Sequence, residues 1–165
     1  MTELFEIALI VAAFLCSLVA GFLFAFAVVA MPGMKSLGDR EFIGTFQAMD
    51  RVIQSNQPLF MVVWVGSVLA VVTAATLGVG QLDGADRLLI VATALAYLFG
   101  VQLPTITMNI PLNNRLQALN VETMDEGARR TAREDFEPRW NQWNAIRTAV
   151  ASLVSAVLLV LLFRL

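Results

Sequence analysis

The stretch IALIVAAFLCSLVAGFLFAFAVVAMPGM, residues 7–34, contains no charged side chain, and this stretch decides the fold. Three further stretches, residues 52–82, 88–114 and 148–163, are also free of charge. A helix needs about 20 residues to cross a hydrocarbon core about 30 Å thick, and a charge near the bilayer centre costs at least about 2.5–3.5 kcal/mol. The four stretches therefore predict four membrane-spanning helices.

The composition agrees with this interpretation. Of the 165 residues, 58% are hydrophobic and 15% are charged, whereas soluble domains usually contain about 25% charged residues. We expect an all-α fold, namely a four-helix transmembrane bundle with short amphipathic cytoplasmic helices in loops one and three. A single integral membrane domain should occupy residues 1–165, with spans at about 5–31, 58–80, 88–110 and 144–163. Glu3 and Glu6 stand where a signal peptide would be basic, so the first span should be retained.

The distribution of basic residues predicts the orientation. The loops after the first and third spans contain Lys35, Arg40, Arg51, Arg115, Arg129, Arg130, Arg133 and Arg139. The opposite side has only Arg87 and Arg164. Because cytoplasmic loops carry the excess of lysine and arginine, loops one and three should be cytoplasmic and both termini outside. We expect the protein in a bacterial cytoplasmic membrane, with the lipid bilayer as its surroundings.

Small residues predict how the spans pack. In the second span Gly66, Ala70, Ala74 and Gly78 follow one another at every fourth position, and the other spans contain similar stripes. In lipid such stripes let helix backbones approach closely, which favours a compact bundle and is compatible with a homo-oligomer. Pro104 lies inside the third span and should kink it.

The residues that are missing restrict the chemistry. The chain has no histidine and a single cysteine, Cys16, and the four uncharged stretches of the spans contain no Asp or Glu. We therefore expect no metal site, no haem and no other cofactor. The net charge is −2 and no basic tract is present, so nucleic acid is not an expected partner.

The remaining polar residues collect at the predicted cytoplasmic ends of the spans. They are Gln102, Thr105 and Asn109 in the third span, Asn113 one turn beyond it, Trp140 and Trp143 just before the fourth span, Asn144 and Arg147 at its start, and Gln47 and Asn56 in the first half of the chain. Residues 148–163 span only about 24 Å at 1.5 Å per residue, so Arg147 should be drawn to the membrane boundary. Its guanidinium needs acceptors there, and Asn109, Asn113 and Asn56 are candidates.

Two interpretations of this cluster stay open. In the first, Arg147 reaches the lipid headgroups, the amides join helices, and Trp140 and Trp143 anchor the protein at the interface. In the second, amides, indoles and one arginine line a cavity that suits a flat aromatic or oxyanionic ligand. The residue types alone favour neither strongly.

Two motifs carry a family resemblance. Residues 109–116 read NIPLNNRL, and residues 136–148 follow the pattern F-x3-W-x2-W-N-x2-R-T. Together with the stretch from Gly21 to Pro32, they resemble the anthrone-oxygenase-like family of small four-helix membrane proteins, most of whose bacterial members are labelled as a domain of unknown function. The resemblance covers nearly the whole chain.

The resemblance implies, for some members, a cofactor-independent oxidation of an anthrone to an anthraquinone by O2. In that case the catalytic residues would be Arg147, Asn109, Asn113 and Asn144, which would stabilise an enolate-like anion. Ligand contacts would come from Trp140, Trp143, Asn56, Gln47 and Gln102. No base is obvious, since nothing in the sequence places Asp50 or Glu137 near the cluster. The alternative is a non-catalytic membrane protein that binds or moves a small apolar molecule, or a structural partner subunit.

Overall fold

The computed structural model describes residues 2–165, which form helices and connecting loops without any β-strand. The helices are α1 (Glu3–Met34), α2 (Asp39–Gln54), α3 (Pro58–Gln81), α4 (Gly84–Gln117) and α5 (Glu126–Arg164). All except α2 are long and apolar enough to cross a membrane. The predicted all-α transmembrane bundle is thereby confirmed, and the protein is an integral membrane protein.

The four long helices pack as a ring of antiparallel neighbours. Helix α1 packs against α3 and α5, and α4 packs against the same two helices. The turn between α3 and α4 is short, and it uses Gly84 in the left-handed region, with φ of 51°, where glycine carries no steric penalty. Each span therefore runs back alongside the one before it, which brings the ends of α1, α3, α4 and α5 together.

The small-residue stripe of α3 lies in the bundle interior. Ala70, Ala74 and Gly78 are buried. A Cβ added at Gly78 would lie 3.1 Å from the ring of Phe5 in α1 and 3.3 Å from Ile90 in α4. Because no larger side chain fits at this distance without displacing its neighbours, the stripe sets the separation of the three helices.

Helix α5 is longer than the sequence suggested. Asp125 caps its start, with Oδ1 accepting a hydrogen bond of 2.8 Å from the Ala128 N–H. The helix then continues without a break for 39 residues, through Pro138 and the whole apolar span. The helix predicted in loop three and the fourth span are thus one continuous helix, and residues from both regions lie on one of its faces.

Three π-helical segments interrupt the long helices, each ending two residues before a proline. They are Phe26–Ala30 before Pro32, Leu98–Gln102 before Pro104, and Thr105–Asn109 before Pro111. A proline ring clashes with the carbonyl four residues earlier, and that carbonyl lies inside the π segment in each case. The wider turn makes room for the ring. The sequence predicted a distortion at Pro104 alone.

Helix α2 covers one end of the bundle. Its buried face, Phe42, Ile43 and Phe46, packs against Phe136 and Trp140 of α5. This confirms the amphipathic helix predicted in loop one. The contact forms a second apolar cluster, separate from the core of the bundle. The space between the two clusters is incompletely filled, and the candidate site lies there.

Candidate functional site

A cavity of about 240 Å³ lies between the bundle core and α2, and every one of the five helices contributes to its wall. The aromatic part of the wall consists of Phe22, Phe26, Phe46, Phe60, Trp64 and Trp140. The polar part consists of Asp50, Thr105, Asn109, Asn113, Asn144 and Arg147. A cavity that is mostly apolar, with a few converging polar groups, is the usual form of a small-molecule site.

Two π-helical segments place residues in this wall. Phe26 begins the segment in α1, while Thr105 and Asn109 begin and end the second segment in α4. Both Thr105 and Asn109 are buried. Single π-helical turns inside α-helices occur frequently at functional sites, because they turn a side chain away from its regular α-helical direction.

Arg147 is the charged group on one side of the cavity. Its residue is only 4% exposed, and it forms no ion pair with any carboxylate of residues 2–165. Nη1 donates to Thr105 Oγ1 at 2.9 Å and Nη2 donates to Asn144 Oδ1 at 3.0 Å. The Nε–H has no partner. The acceptors are therefore the residue one turn earlier on α5 and a hydroxyl on α4, in place of Asn109, Asn113 or Asn56.

Asn109 provides an unpaired acceptor in the same wall. Its Nδ2 donates to the Trp140 carbonyl in a long contact of 3.4 Å, and its buried Oδ1 has no partner. An unsatisfied buried polar atom costs about 1–3 kcal/mol. Two residues of the cavity wall thus each have one buried polar atom without a partner, a donor on Arg147 and an acceptor on Asn109.

A chain of hydrogen bonds runs from Trp140 through Asn113 to Asp50 along the cavity wall. Trp140 Nε1 donates to Asn113 Oδ1 at 2.8 Å, and Asn113 Nδ2 donates to Asp50 Oδ1 at 2.8 Å. The other carboxylate oxygen of Asp50 accepts from Gln54 at 2.7 Å and from Gln117 at 3.2 Å. Three amides therefore hold this carboxylate, and no cation among the described residues pairs with it.

The aromatic rings shape the cavity for a flat molecule. Phe60 and Trp64 are stacked, with ring centroids 5.3 Å apart and an interplanar angle of 20°. Phe22 stands edge-on to Trp64, at 6.4 Å and 82°. Trp64 Nε1 donates to Gln102 Oε1 at 3.0 Å, which fixes the orientation of the indole. The apolar wall combines these ring faces and edges with five aliphatic side chains, those of Leu23, Met49, Ile53, Met61 and Ile110.

The structure brings the predicted catalytic residues together. Arg147, Asn109, Asn113 and Asn144 all line the cavity, and so does Trp140 among the predicted ligand contacts. Helical spacing in the third and fourth spans accounts for this, because residues three or four apart share a face.

The other predicted ligand contacts lie outside the cavity wall. Gln102 accepts a hydrogen bond from the indole of Trp64. Gln47 donates to the Leu116 and Leu119 carbonyls and so joins α2 to the end of α4. Asn56 is exposed in the loop before α3, with φ of 56°. Trp143 is partly buried and is not among the cavity residues.

Beyond the predicted catalytic and ligand residues, three lining residues carry a polar group: Asp50, Thr105 and Trp64. The sequence contains a signal for Asp50, since it follows Phe46 by four residues and so shares the apolar face of α2. Thr105 lies on the same face of the third span as Asn109. For Trp64 no signal exists, because the second span has no charged residue and its small-residue stripe does not include position 64.

The chemistry of the wall is that of amides, hydroxyls, one carboxylate and one guanidinium. Within residues 2–165 no group of three or more His, Cys, Asp or Glu side chains could hold a metal ion. The wall can accept and donate hydrogen bonds, stabilise a negative charge beside Arg147, and take up a proton at Asp50.

Comparison with known proteins adds one finding. Residues 49–158, which are more than half of the chain, match the profile of a family described as anthrone oxygenase. The match confirms the resemblance carried by the motifs at residues 109–116 and 136–148, and it includes every residue of the polar wall. No curated protein and no solved structure matches the chain.

Proposed function

This chain belongs to the anthrone oxygenase family, and on that premise we propose that it is a cofactor-independent oxygenase of a flat, hydroxylated aromatic ketone of the anthrone class. The observation that carries the proposal is Arg147, a buried guanidinium without a carboxylate partner in the wall of an aromatic cavity. A buried cation without a counter-ion is costly, and a ligand that becomes an anion in the cavity would supply the missing charge.

The two unpaired polar atoms suit the polar edge of such a ketone. The ketone oxygen would accept from the Arg147 Nε–H, and a neighbouring hydroxyl would donate to Asn109 Oδ1. When the ring methylene of the substrate loses a proton, the negative charge spreads onto the ketone oxygen. Arg147 then interacts more strongly with the anion than with the neutral ketone, and only such a difference accelerates the reaction.

The reaction balances without a bound cofactor. Removal of a methylene proton leaves a carbanion, whose electron pair reduces O2 and forms a carbon–oxygen bond. Protonation of that peroxide gives a hydroperoxide. Loss of the second methylene proton, with cleavage of the oxygen–oxygen bond, forms the new carbonyl and releases water. One O2 is consumed for each anthraquinone and each water formed.

The mouth of the cavity supports an apolar substrate. Met61 and Ile110 line the cavity and are partly exposed, by 37% and 43%. They lie at the start of α3 and near the end of α4, and we infer that the cavity opens between these two helices. A molecule dissolved in the bilayer would meet this opening through side chains as apolar as the lipid.

The same opening favours a second candidate, a non-catalytic protein that binds or moves a small apolar molecule. Nothing in a carrier requires the substrate to become an anion. The two candidates therefore differ in whether the bound molecule is oxidised faster than it is in solution.

The test supplies the purified protein in lipid nanodiscs with a hydroxylated anthrone. O2 consumption and the absorbance of the anthraquinone are followed against protein-free nanodiscs, which report spontaneous oxidation. We expect acceleration by the wild type and by Arg139→Ala, an exposed arginine of the same helix, and its loss in Arg147→Ala. Binding of the anthrone without acceleration would assign the carrier function instead.

A further inference from the structure

We propose that the carboxylate of Asp50 is the general base that removes the methylene proton of the substrate. This inference rests on the proposed function and gives its proton-transfer step a residue. Asp50 is the acidic residue of the cavity wall and is only 4% exposed. Glu137, the second carboxylate named in the sequence analysis, is bound to Arg133 at 2.8 Å and lies outside the wall.

The burial of Asp50 is difficult to explain by stability alone. Taking a carboxylate out of water costs several kcal/mol, and here no cation offsets that cost. Its partners are the neutral amides of Asn113, Gln54 and Gln117. A neutral asparagine or glutamine could join α2 to α4 without burying a charge, so the charge itself points to a role in the cavity.

The hydrogen bonds leave one position on the carboxylate free. A carboxylate accepts at about four lone-pair sites. Two donors, Gln54 and Gln117, approach Oδ2, whereas only Asn113 approaches Oδ1. The second lone pair of Oδ1 therefore has no donor and can accept a proton, and the three amides hold the group in place while it changes its charge.

Trp140 fixes the orientation of Asn113. An indole N–H can only donate, so the Asn113 atom that meets Trp140 Nε1 at 2.8 Å must be its oxygen. The amide NH2 then necessarily faces Asp50. Trp140 and Asn113 act as positioning residues for the base, which explains why an indole lies between the carboxylate and Arg147.

Proton transfer to Asp50 conserves the charge of the cavity. Before the transfer the negative charge resides on Asp50, and afterwards it resides on the substrate oxygen beside Arg147. After O2 has taken up the electron pair, protonated Asp50 returns its proton to the peroxide oxygen. The regenerated carboxylate then accepts the second methylene proton as hydroxide leaves, and the two combine as water.

The experiment separates proton removal from oxidation. In anaerobic D2O the wild type should accelerate the exchange of the anthrone methylene hydrogens for deuterium, followed by mass spectrometry. Asp50→Asn should lower the accelerated rate by roughly 100-fold or more, the usual contribution of a general base, while anthraquinone binding remains. Asp135→Asn makes the same change at an exposed position of α5 outside the cavity and should exchange like the wild type.

Each other outcome is decisive. Exchange and O2 consumption that persist in Asp50→Asn would overturn the base assignment and leave the oxygenase proposal standing. A wild type that accelerates neither reaction would overturn both. Should Asp50→Asn not fold, Asp50→Glu keeps the charge and displaces the carboxylate by one methylene, which should slow exchange by about 100-fold. An unchanged rate in that variant would also overturn the assignment.

Discussion

The guanidinium carbon of Arg147 lies 6.0 Å from the centroid of the Trp140 ring, within the range of a cation–π contact. The same indole donates to Asn113, which donates to Asp50. One aromatic side chain therefore contacts Arg147 directly and Asp50 through Asn113. The buried cation receives about 0.5–2 kcal/mol from such a ring, which is less than the several kcal/mol that burying an ion costs, so Arg147 still lacks a counter-charge.

The first prediction concerns the shape of the cation. Arg147→Lys keeps the charge but removes the Nε–H and the planar fork. We expect the affinity for a hydroxylated anthraquinone to fall by about 10- to 100-fold, since a hydrogen bond to a charged group contributes about 1.5–3 kcal/mol. Binding is measured by titration calorimetry in detergent, together with the yield of folded protein.

Arg139→Lys is the matched control, since it makes the same change on the exposed side of α5. Full affinity in Arg147→Lys would mean that the charge alone matters there. A loss of folded protein would show that the guanidinium joins α4 to α5 through Thr105 and has no separate role in binding.

The second prediction concerns the aromatic wall. Trp64→Leu removes an indole that lines the cavity, whereas Trp143→Leu removes one that does not. An aromatic contact contributes about 0.5–1.5 kcal/mol beyond its buried area, so Trp64→Leu should weaken binding by roughly tenfold and Trp143→Leu should leave it nearly unchanged. The same titration measures both, and equal losses in the two variants would contradict the assigned position of the ligand.

The third prediction concerns the packing of α3. Gly78→Leu forces a side chain against Phe5 and Ile90, whereas a Cβ added at the exposed Gly80, two residues later, meets no atom within 4 Å, which makes Gly80→Leu the control. Overpacking usually costs about 1–3 kcal/mol. We expect a lower melting temperature in detergent for Gly78→Leu alone. Similar melting temperatures for both variants would remove the argument that the stripe sets the helix separation.

The fourth prediction concerns orientation, which the basic residues of loops one and three predict. After Cys16→Ala, single cysteines at Glu3 and Gly127 are labelled with a membrane-impermeant maleimide on intact cells. We choose Glu3 in preference to Thr2, because the Thr2 hydroxyl accepts a hydrogen bond from Gln81. Labelling of Glu3→Cys and protection of Gly127→Cys are expected, and the reverse pattern would invert the orientation.

Periodicity allowed much of this architecture to be predicted. The uncharged stretches locate the spans, and the three- and four-residue spacing in α4 and α5 brings Asn109, Asn144 and Arg147 into one wall. The side of an apolar helix that faces the bundle interior could be predicted only in part. The small-residue stripe of α3 indicates its interior face, but Val71 beside the stripe is fully buried while Val72 is 43% exposed. The span has no charged residue, so nothing in the sequence distinguishes these two valines.

Contacts between distant parts of the chain could not be predicted. Asp50 and Asn113 are 63 residues apart, and they meet only because α2 folds back over the end of α4. Loop length and charge do not determine that placement. The sequence therefore predicted that Arg147 and the asparagines belong to one site, but it did not place Asp50 in that site.

The π-helical turns of α4 have one further consequence. A π turn contains one residue more than an α turn, so each acts as a single-residue insertion that is retained inside a continuous helix. Deleting one residue from Leu98–Gln102 would return that turn to α-helical winding, and the residues after it, Asn109 and Asn113 among them, would keep their places in the wall. The same deletion in an α-helical turn, between Ile90 and Tyr97 for example, would rotate everything that follows by about 100° around the axis and swing both asparagines away from the cavity. The π turns are thus positions where the length of α4 can change while the cavity wall is kept.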